Sequence, residues 1–437
     1  MRPRREVKVL KAKLGVKSAK KWQIWRRMLG YEFAAHPRRL FLRNGLAGLA
    51  ALMAEPLIGC SKDESASSAA VGSGGAGGKG HALRTNLAAI GPLRPADENG
   101  VRLPEGFSSR IIARTGEAPA ADKPYLWHIF PDGGATYETE DGGWIYVSNS
   151  EIPVTGGVGA LRFDASGALV DAYPILSGTS VNCAGGKTGW GTWLSCEEHD
   201  RGQVFECDVT GATAAVPRPA LGVFKHEAAA LDPVNQHLYL SEDQGDGRFY
   251  RFVPAAKNDQ GHADLSAGTL EVAEVLADGK VTWHAVPDPG FTGATPTRLQ
   301  VAASTVFKGG EGLAYHDGTI YLSTKGDDKI WAFDIATQSI SVLYDKATAQ
   351  NPILSGVDNV AVTCCGDVLV AEDGGDMEIV AILADGTIKP LLQVVDHPNS
   401  EITGPAFDPS GTRLYFSSQR APGSGMTFEV SGPFHSP

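Results

Sequence analysis

One short strand pattern recurs six times along the chain of 437 residues and limits the folds that are available to it. Each copy is an apolar run, five of the six contain aromatic residues, and the copies end at Ser148, Ser195, Ser241, Ser323, Ala371 and Ser417. Successive end points differ by 47, 46, 82, 48 and 46 residues. Six copies at one period, with a single longer gap, predict six similar β units.

Other segments recur at fixed places around each copy. A second apolar strand follows each one, as at 159–164 and 330–334, and a short segment such as 311–314 precedes it by 12–14 residues. Units of about 46 residues with several short strands are typical of β-propeller blades. A β-sandwich, the alternative all-β fold, does not repeat at this period. We therefore predict a six-bladed β-propeller, closed by an outer strand from residues 106–113.

Composition and charge divide the chain into three parts. Charged residues make up only 20%, which excludes a long coiled coil. Residues 1–59 have a net charge of +11 and contain Arg38-Arg39 before an apolar run, the pattern of a twin-arginine export leader ending at a lipidation site, Cys60. We expect a Ser/Gly-rich tether over 60–95 and the propeller over 96–437, with an insertion at about 257–298.

The remainder of the chain, with a net charge of −22, excludes nucleic acid as a partner. Many of its acids share one register, directly after the repeated strand or in the segment before it. A single acidic pair is usually a solvated turn, but repetition in five of six blades predicts a metal centre on the axis. The candidate ligands are Glu151, Cys183, Glu197, Glu198, Glu227, Glu242, Asp243, Glu311, Asp358 and Glu372, with Asp327 at the matching place in the fourth unit. Adjacent Cys364 and Cys365 are expected to pack as small apolar residues on a strand.

Several of these segments resemble those of a known family. Asn182-Cys183-Ala184-Gly185-Gly186, Trp193-Leu194-Ser195-Cys196-Glu197-Glu198 and Lys225-His226-Glu227-Ala228 are similar to sequences of the PhoX alkaline phosphatases. The resemblance runs from about residue 106 to the C-terminus. It implies a six-bladed propeller whose axis holds an iron pair, with a cysteine ligand, and calcium ions.

The chain departs from this family at a residue that matters for phosphate. The longer enzymes have Arg-Pro-Glu-Gly, and their arginine helps to hold phosphate, whereas this chain has Gly309-Gly310-Glu311-Gly312. Lys308 and Arg420 are the candidates to replace that arginine and to stabilise charge on the phosphoryl group.

The resemblance and the acid register together lead to an expected function. We expect an exported, monomeric enzyme of the periplasm or cell envelope, anchored through a lipid on Cys60, that hydrolyses a small phosphate ester. Two alternatives remain open: a non-catalytic, metal-stabilised binding propeller and a calcium-dependent propeller of the lactonase type.

Overall fold

The computed structural model describes residues 83–437. The leader, Cys60 and the tether up to residue 82 lie outside the described residues. Before the first blade the chain forms β1 (Arg84–Thr85), a 3-10 helix (Leu87–Ala89), β2 (Val101–Arg102) and β3 (Ser108–Arg114). Among the described residues, no helix has the length and apolar character needed to span a bilayer.

The first three blades follow in chain order, each an antiparallel sheet of four or five strands. Blade one contains β4 (Pro131–Glu138), β5 (Trp144–Ser150), β6 (Gly156–Phe163) and β7 (Leu169–Thr179). Blade two contains β8 (Asn182–Lys187), β9 (Thr192–Glu197), β10 (Val204–Asp208) and β11 (Val216–Pro217), followed by a 3-10 helix (Pro219–Leu221). Blade three contains β12 (His226–Leu231), β13 (Leu238–Glu242), β14 (Phe249–Pro254), β15 (Gly268–Val275) and β16 (Val281–Ala285), and a 3-10 helix (Thr297–Leu299) comes before blade four.

The last three blades have the same plan. Blade four contains β17 (Gly310–His316), β18 (Thr319–Thr324), β19 (Lys329–Asp334) and β20 (Ser339–Asp345). Blade five contains β21 (Val357–Val362), β22 (Val368–Glu372), β23 (Glu378–Ile382) and β24 (Ile388–Val394), with β2 added at its outer edge. Blade six contains β25 (Ile402–Phe407), β26 (Arg413–Ser418) and β27 (Met426–Ser431), and the terminal strand β28 (His435–Ser436) pairs with β1.

The predicted all-β, six-bladed propeller is confirmed. The repeated strand is the second strand of every blade, and the segment before it is the innermost strand. The inner strands contact one another in blade order, and β25 contacts β4, so the ring is closed. The span 257–298, expected as an insertion, contains the two outermost strands of blade three, β15 and β16.

Within residues 83–437 the hydrophobic core consists of six clusters, one at each interface between adjacent blades. The cluster between blades five and six, for example, packs Leu369 of blade five with Phe416 and Phe428 of blade six. The cluster between blades six and one contains Trp144 and Tyr415. Burial of apolar surface between sheets stabilises the ring at about 25 cal/mol per Å².

Glycines allow the inner strands to approach one another at the axis. A Cβ atom added to Gly133 would lie 2.5 Å from Cα of Ala184 on the next blade. A Cβ atom on Gly312 would lie 2.4 Å from the backbone nitrogen of Val360. These contacts exclude any larger residue unless the backbone shifts, so the glycines set the narrow spacing of the axial end.

Blade six is completed by β3, which pairs antiparallel with β27, as expected for the closing strand. Glu429 of β27 is 2% exposed at its side chain and accepts hydrogen bonds from Arg110 Nη2 at 2.7 Å and from the Tyr415 hydroxyl at 2.8 Å. Arg413 Nη1 lies 3.0 Å from its other oxygen. Burial alone would raise the pKa of Glu429, but these donors outweigh it and lower the pKa below 4.5.

Replacing Glu429 with glutamine tests this closure. Glu429→Gln should lower the free energy of unfolding by about 2 kcal/mol, because charged hydrogen bonds are lost from a buried position. Since the folded-state pKa is lowered, the wild-type advantage should be present above about pH 4.5 and disappear as pH falls through the folded pKa. Chemical denaturation across pH measures both effects.

Glu274→Gln is the matched control, since Glu274 is 30% exposed and pairs with His284 at 2.7 Å near the surface. It should change stability by less than about 1 kcal/mol. Equal effects of the two substitutions would contradict the proposed role of Glu429.

Candidate metal centre

The inner strands place one side chain each on the axis. In the first five blades the register between the first two strands shifts after the first residue of the inner strand, which is a β-bulge. Bulges redirect side chains and are frequent beside functional sites. The second residues of the six inner strands, here called the inner ring, are Asp132, Cys183, Glu227, Glu311, Asp358 and Thr403.

A second ring comes from the ends of the repeated strands. In each blade the second strand pairs with the inner strand, and the residue directly after the last paired position occupies the same register in all six blades. These six residues are here called the outer ring. They are Glu151, Glu198, Asp243, Lys325, Asp373 and Gln419. Blade six adds Glu401, which precedes its inner strand and is 4% exposed.

Four overlapping groups of ligand atoms join the two rings. Within each group the ligand atoms lie within 4.8 Å of one another. The groups are Asp132, Glu151 and Cys183; Cys183, Glu198 and Glu227; Glu227, Glu311 and Asp358; and Asp358, Asp373 and Glu401. Neighbouring groups share a residue, so the donors form a continuous band around the axis.

Cys183 belongs to two of these groups and would be a thiolate donor for metal ions held there. Its Sγ lies 3.5 Å from Oδ2 of Asp132, and the side chain is buried. Burial, and then the charges of Asp132 and Glu227, raise the pKa of the thiol well above its usual value. A bound cation would reverse this effect, because metal ligation stabilises the thiolate.

Glu227 shows most directly that the site fits cations. The residue is 0% exposed, and neither carboxylate oxygen has a hydrogen-bond partner among the described residues. Burial, and then the charges of Glu311 and Glu198, raise its pKa well above 4.5. An unpaired charge at such a position costs several kcal/mol unless a cation compensates it. The donor set of carboxylates and one thiol therefore fits bound metal ions.

Three basic side chains lie among the acids. Lys225 Nζ is 2.8 Å from Glu198 and 3.3 Å from Asp243. Lys325 Nζ is 2.8 Å from Glu311, 3.0 Å from Asp358 and 3.2 Å from Asp373.

Arg420 is the third of these basic groups. Its Nη1 is 2.7 Å from Glu401 and 3.6 Å from Asp373, and its Nη2 is 3.8 Å from Glu151. The two rings and Glu401 thus place nine carboxylates opposite three cationic side chains, which leaves a formal excess of six negative charges.

Buried polar side chains next to the two rings form hydrogen bonds that hold the ring residues in position. Asn149 donates to the carbonyl oxygens of Cys183 and Ala184 and accepts from Trp193 Nε1 at 2.9 Å. The Ser241 hydroxyl, at the end of a repeated strand, donates to the carbonyl oxygen of Glu311 on the next blade. The repeated serine therefore helps to fix the ligand of the neighbouring blade, which favours a rigid site.

The four donor groups bring together six of the ligands predicted from the sequence. These six are Glu151, Cys183, Glu198, Glu227, Glu311 and Asp358. Asp243, also predicted, stands in the outer ring beside Lys225, outside these groups.

Glu197, Glu242 and Glu372 point elsewhere. Each is the last residue of its strand, and successive strand residues face opposite sides, so only the following acid faces the axis. Glu197 accepts from the Ser180 backbone nitrogen at 2.9 Å, Glu242 from the Tyr250 hydroxyl at 2.9 Å, and Glu372 from the Ser355 backbone nitrogen at 2.9 Å. These three carboxylates hold loops and strands in place.

Of the two predicted phosphate-binding residues, Arg420 lies within the centre, whereas Lys308 forms no ion pair with its acids among the described residues. The Lys308 side chain is exposed, and its carbonyl accepts from the Gly326 backbone nitrogen at 2.9 Å. In the fourth blade the outer-ring register belongs to Lys325, whereas Asp327 pairs with Thr324 and Lys329.

Four residues of this centre are absent from the candidates predicted from the sequence: Asp132, Lys325, Asp373 and Glu401. Asp373 directly follows Glu372, the acid chosen in blade five. Asp132 occupies the inner-ring register, but a longer hairpin places it 16 residues before Ser148, outside the spacing of 12–14. Lys325 was detectable by register alone, since it follows Ser323 as Asp243 follows Ser241. No repeated signal marks Glu401.

Comparison with known proteins agrees with this architecture. The family model for the alkaline phosphatase PhoX matches residues 148–210 and 198–423. No curated protein matches the chain. Among solved structures, Pseudomonas fluorescens PhoX in complex with vanadate, a transition state analogue, is similar with a TM-score of 0.64 and 16% identity over 80% of this chain and 98% of that one.

A gluconolactonase from Xanthomonas campestris is a weaker match, with a TM-score of 0.46 and 13% identity over 79% of this chain and 98% of the other. A likeness at that level does not bear on function. The family match covers well over half of the chain, and it agrees with the resemblance noted in the sequence. The chain therefore belongs to the PhoX alkaline phosphatase family and is a phosphoric ester hydrolase.

Proposed function

We propose that the protein hydrolyses small phosphate monoesters at an iron and calcium centre on the propeller axis. The observation that carries the proposal is Cys183, a buried thiol shared by two donor groups, beside Glu227, a buried carboxylate without a partner among the described residues. Pseudomonas fluorescens PhoX binds vanadate, a transition state analogue. We extend that ligand class to this chain.

The chemistry of the donors assigns the two kinds of metal. Thiolate and carboxylate together suit iron, so the two groups that share Cys183 would hold the iron pair. Oxygen donors alone suit calcium, so the groups built on Asp358 would hold calcium. When bound, these ions supply Lewis acidity toward the phosphoryl oxygens.

The basic residues of the chain would bind the phosphate. Arg420 presents a planar guanidinium that can donate two parallel hydrogen bonds to phosphoryl oxygens, and Lys325 presents a point charge. Both side chains neutralise carboxylates in the present structure. With those carboxylates committed to cations, the two groups become available to hold the substrate and to stabilise the charge that develops on it.

Lys325 also compensates for the missing family arginine. Gly309 occupies the position of that arginine, with a left-handed φ of 63°, and a Cβ atom there would lie 3.3 Å from Asp243 Oδ1 and 4.0 Å from Glu311 Oε1. Lys325 donates its backbone N–H to the Gly309 carbonyl at 2.9 Å and sends its ammonium to Glu311. The Lys325 ammonium, from the end of β18, therefore reaches the region that the family arginine would occupy from position 309.

The leader supports a proposal about location. We propose export by the twin-arginine machinery and anchoring in the cell envelope through Cys60. That route transports folded proteins, which suits a chain whose centre is assembled from six blades before it can hold metal. The partners proposed are thus the export machinery, the membrane and a small phosphate ester.

The first prediction concerns turnover and metal content together. Protein isolated with its metals should hydrolyse p-nitrophenyl phosphate and be inhibited by vanadate. Cys183→Ser should lose iron and at least about a hundredfold in turnover, because a thiolate ligand is removed from a charged, buried site. Cys207→Ser, at a buried thiol on β10, is the matched control. Metal-loaded protein that hydrolyses no monoester would refute the proposal.

The second prediction concerns the phosphate-binding cations. Lys325→Met and Arg420→Met should each lower kcat/KM by about a hundredfold, because the loss of one charged donor costs roughly 2.7–4 kcal/mol in the transition state. Lys308→Met should lower it less, since that side chain is exposed.

Lys329→Met is the control, since Lys329 pairs with Asp327 and Asp345 away from the rings. It should leave kcat/KM within about twofold. A Lys325 variant with unchanged kinetics would remove that residue from the mechanism.

The third prediction concerns metal removal and pH. The pKa values of Asp132, Glu227 and Glu311 are raised, first by burial, so the metal-free folded state binds more protons than the unfolded state above about pH 4.5. Its stability should therefore fall as pH rises from about 5 to 8. Metal-loaded protein should not show this fall. Thermal denaturation across this pH range, with and without chelator, measures the change in stability. Glu227→Gln should make the stability of the metal-free protein depend less on pH. Metal-free protein whose stability rises with pH would contradict the account.

A further inference from the structure

A second group of metal-binding side chains lies outside the axial centre. Cys364 and Cys365 occupy the turn between β21 and β22, with their Sγ atoms 3.3 Å apart. Cys364 is exposed and Cys365 is half-buried. The expectation that the pair packs on a strand is therefore wrong, because Gly366, with a left-handed φ of 90°, completes a tight turn there.

His435 of β28 faces this turn. It is 4% exposed, and its Nδ1 lies 2.7 Å from the carbonyl oxygen of Gly411. A carbonyl only accepts, so Nδ1 carries the proton, and the lone pair of the neutral ring is on Nε2. Nε2 is buried and has no hydrogen-bond partner among the described residues. A metal-ligating histidine is typically fixed in this way through its other nitrogen.

We propose that Cys364, Cys365 and His435 bind a thiophilic divalent cation of the zinc class. The two sulfur atoms and a ring nitrogen of His435 lie within 4.8 Å of one another. Zinc, with bonds of about 2.3 Å to sulfur and about 2.0 Å to nitrogen, draws tetrahedral ligands to roughly 3.5 Å apart. The ligand atoms therefore need to move only slightly to bind zinc, and most of this movement would occur in the turn that contains the two cysteines. Binding forms two zinc–sulfur bonds and one zinc–nitrogen bond and releases both thiol protons to solvent.

This site is separate from the axial centre. It shares no residue with the four donor groups of the rings, and its sulfur and imidazole donors differ from their carboxylates. The carbonyl oxygen of Leu83, 3.3 Å from Cys365 Sγ, offers an additional oxygen donor beside the site.

The position of the site indicates a structural role. His435 is paired with Thr85 in the two-stranded sheet of β1 and β28, whereas the cysteines belong to blade five. A bound cation would therefore connect the turn of blade five to the terminal strand pair. Because it binds the folded arrangement, it should raise the melting temperature without changing turnover.

Titration of the reduced full-length chain with Co²⁺, followed by Zn²⁺, tests the proposal. Cys183→Ala is the background, so that the axial thiol contributes no signal. We expect sulfur-to-cobalt charge-transfer absorption that saturates at one equivalent and is abolished by zinc, and a zinc-dependent increase in melting temperature. Absence of this absorption in the reduced protein would overturn the proposal.

Substitutions identify the ligands. Cys364→Ser combined with Cys365→Ser should abolish both signals, and in the otherwise wild-type chain it should leave phosphatase turnover unchanged. His435→Asn should weaken zinc binding by about tenfold or more, since its amide can still donate to Gly411 while the Nε2 lone pair is lost.

The control is His284→Asn, at a histidine that pairs with Glu274 elsewhere on blade three, and it should bind zinc as tightly as the parent. If His435→Asn fails to fold, the variant with both Cys364→Ser and Cys365→Ser still tests whether zinc binds at this turn. Zinc binding that survives the double substitution would overturn the proposal.

Discussion

Repulsion among buried carboxylates is the constraint on which the rest of this structure depends. Two charges about 5 Å apart interact by roughly 3 kcal/mol at an effective dielectric constant of about 20, and adjacent donors on the axis lie within 4.8 Å. Lys225, Lys325 and Arg420 compensate only part of this charge. Burial, and then this repulsion, raise the pKa of Glu227. A centre with this excess of negative charge is suited to cations, and the rigid ring prevents the acids from separating.

Local features of each blade bring the repeated acidic residues of the sequence together around the propeller axis. A bulge in each inner strand turns one side chain toward the axis, and glycines such as Gly133 and Gly312 let neighbouring blades approach. Serines at the ends of repeated strands then hold the next blade, as Ser241 holds Glu311. The closing strand β3 and the buried Glu429 network keep the sixth blade against the first.

Much of the fold and of the candidate metal centre could be predicted because the strand pattern of the blades repeats regularly in the sequence. The blade number, the closing strand and six of the candidate ligands, including Cys183 and Glu227, follow from the spacing of the repeated strand. The spacing could not separate Glu197 from Glu198, since a one-residue difference in register reverses the face of a strand. Nor could it find Asp132 behind a longer hairpin, or the approach of His435 to Cys364, which joins segments 71 residues apart.

The central proposal is that the propeller axis holds an iron pair with Cys183 among its ligands. Anomalous diffraction from crystals of the metal-loaded protein, measured on both sides of the iron absorption edge, tests it most directly. The account predicts two iron peaks beside the Cys183 sulfur and calcium among the carboxylates near Asp358. A map without iron next to Cys183, or with a single calcium on the axis, would contradict it.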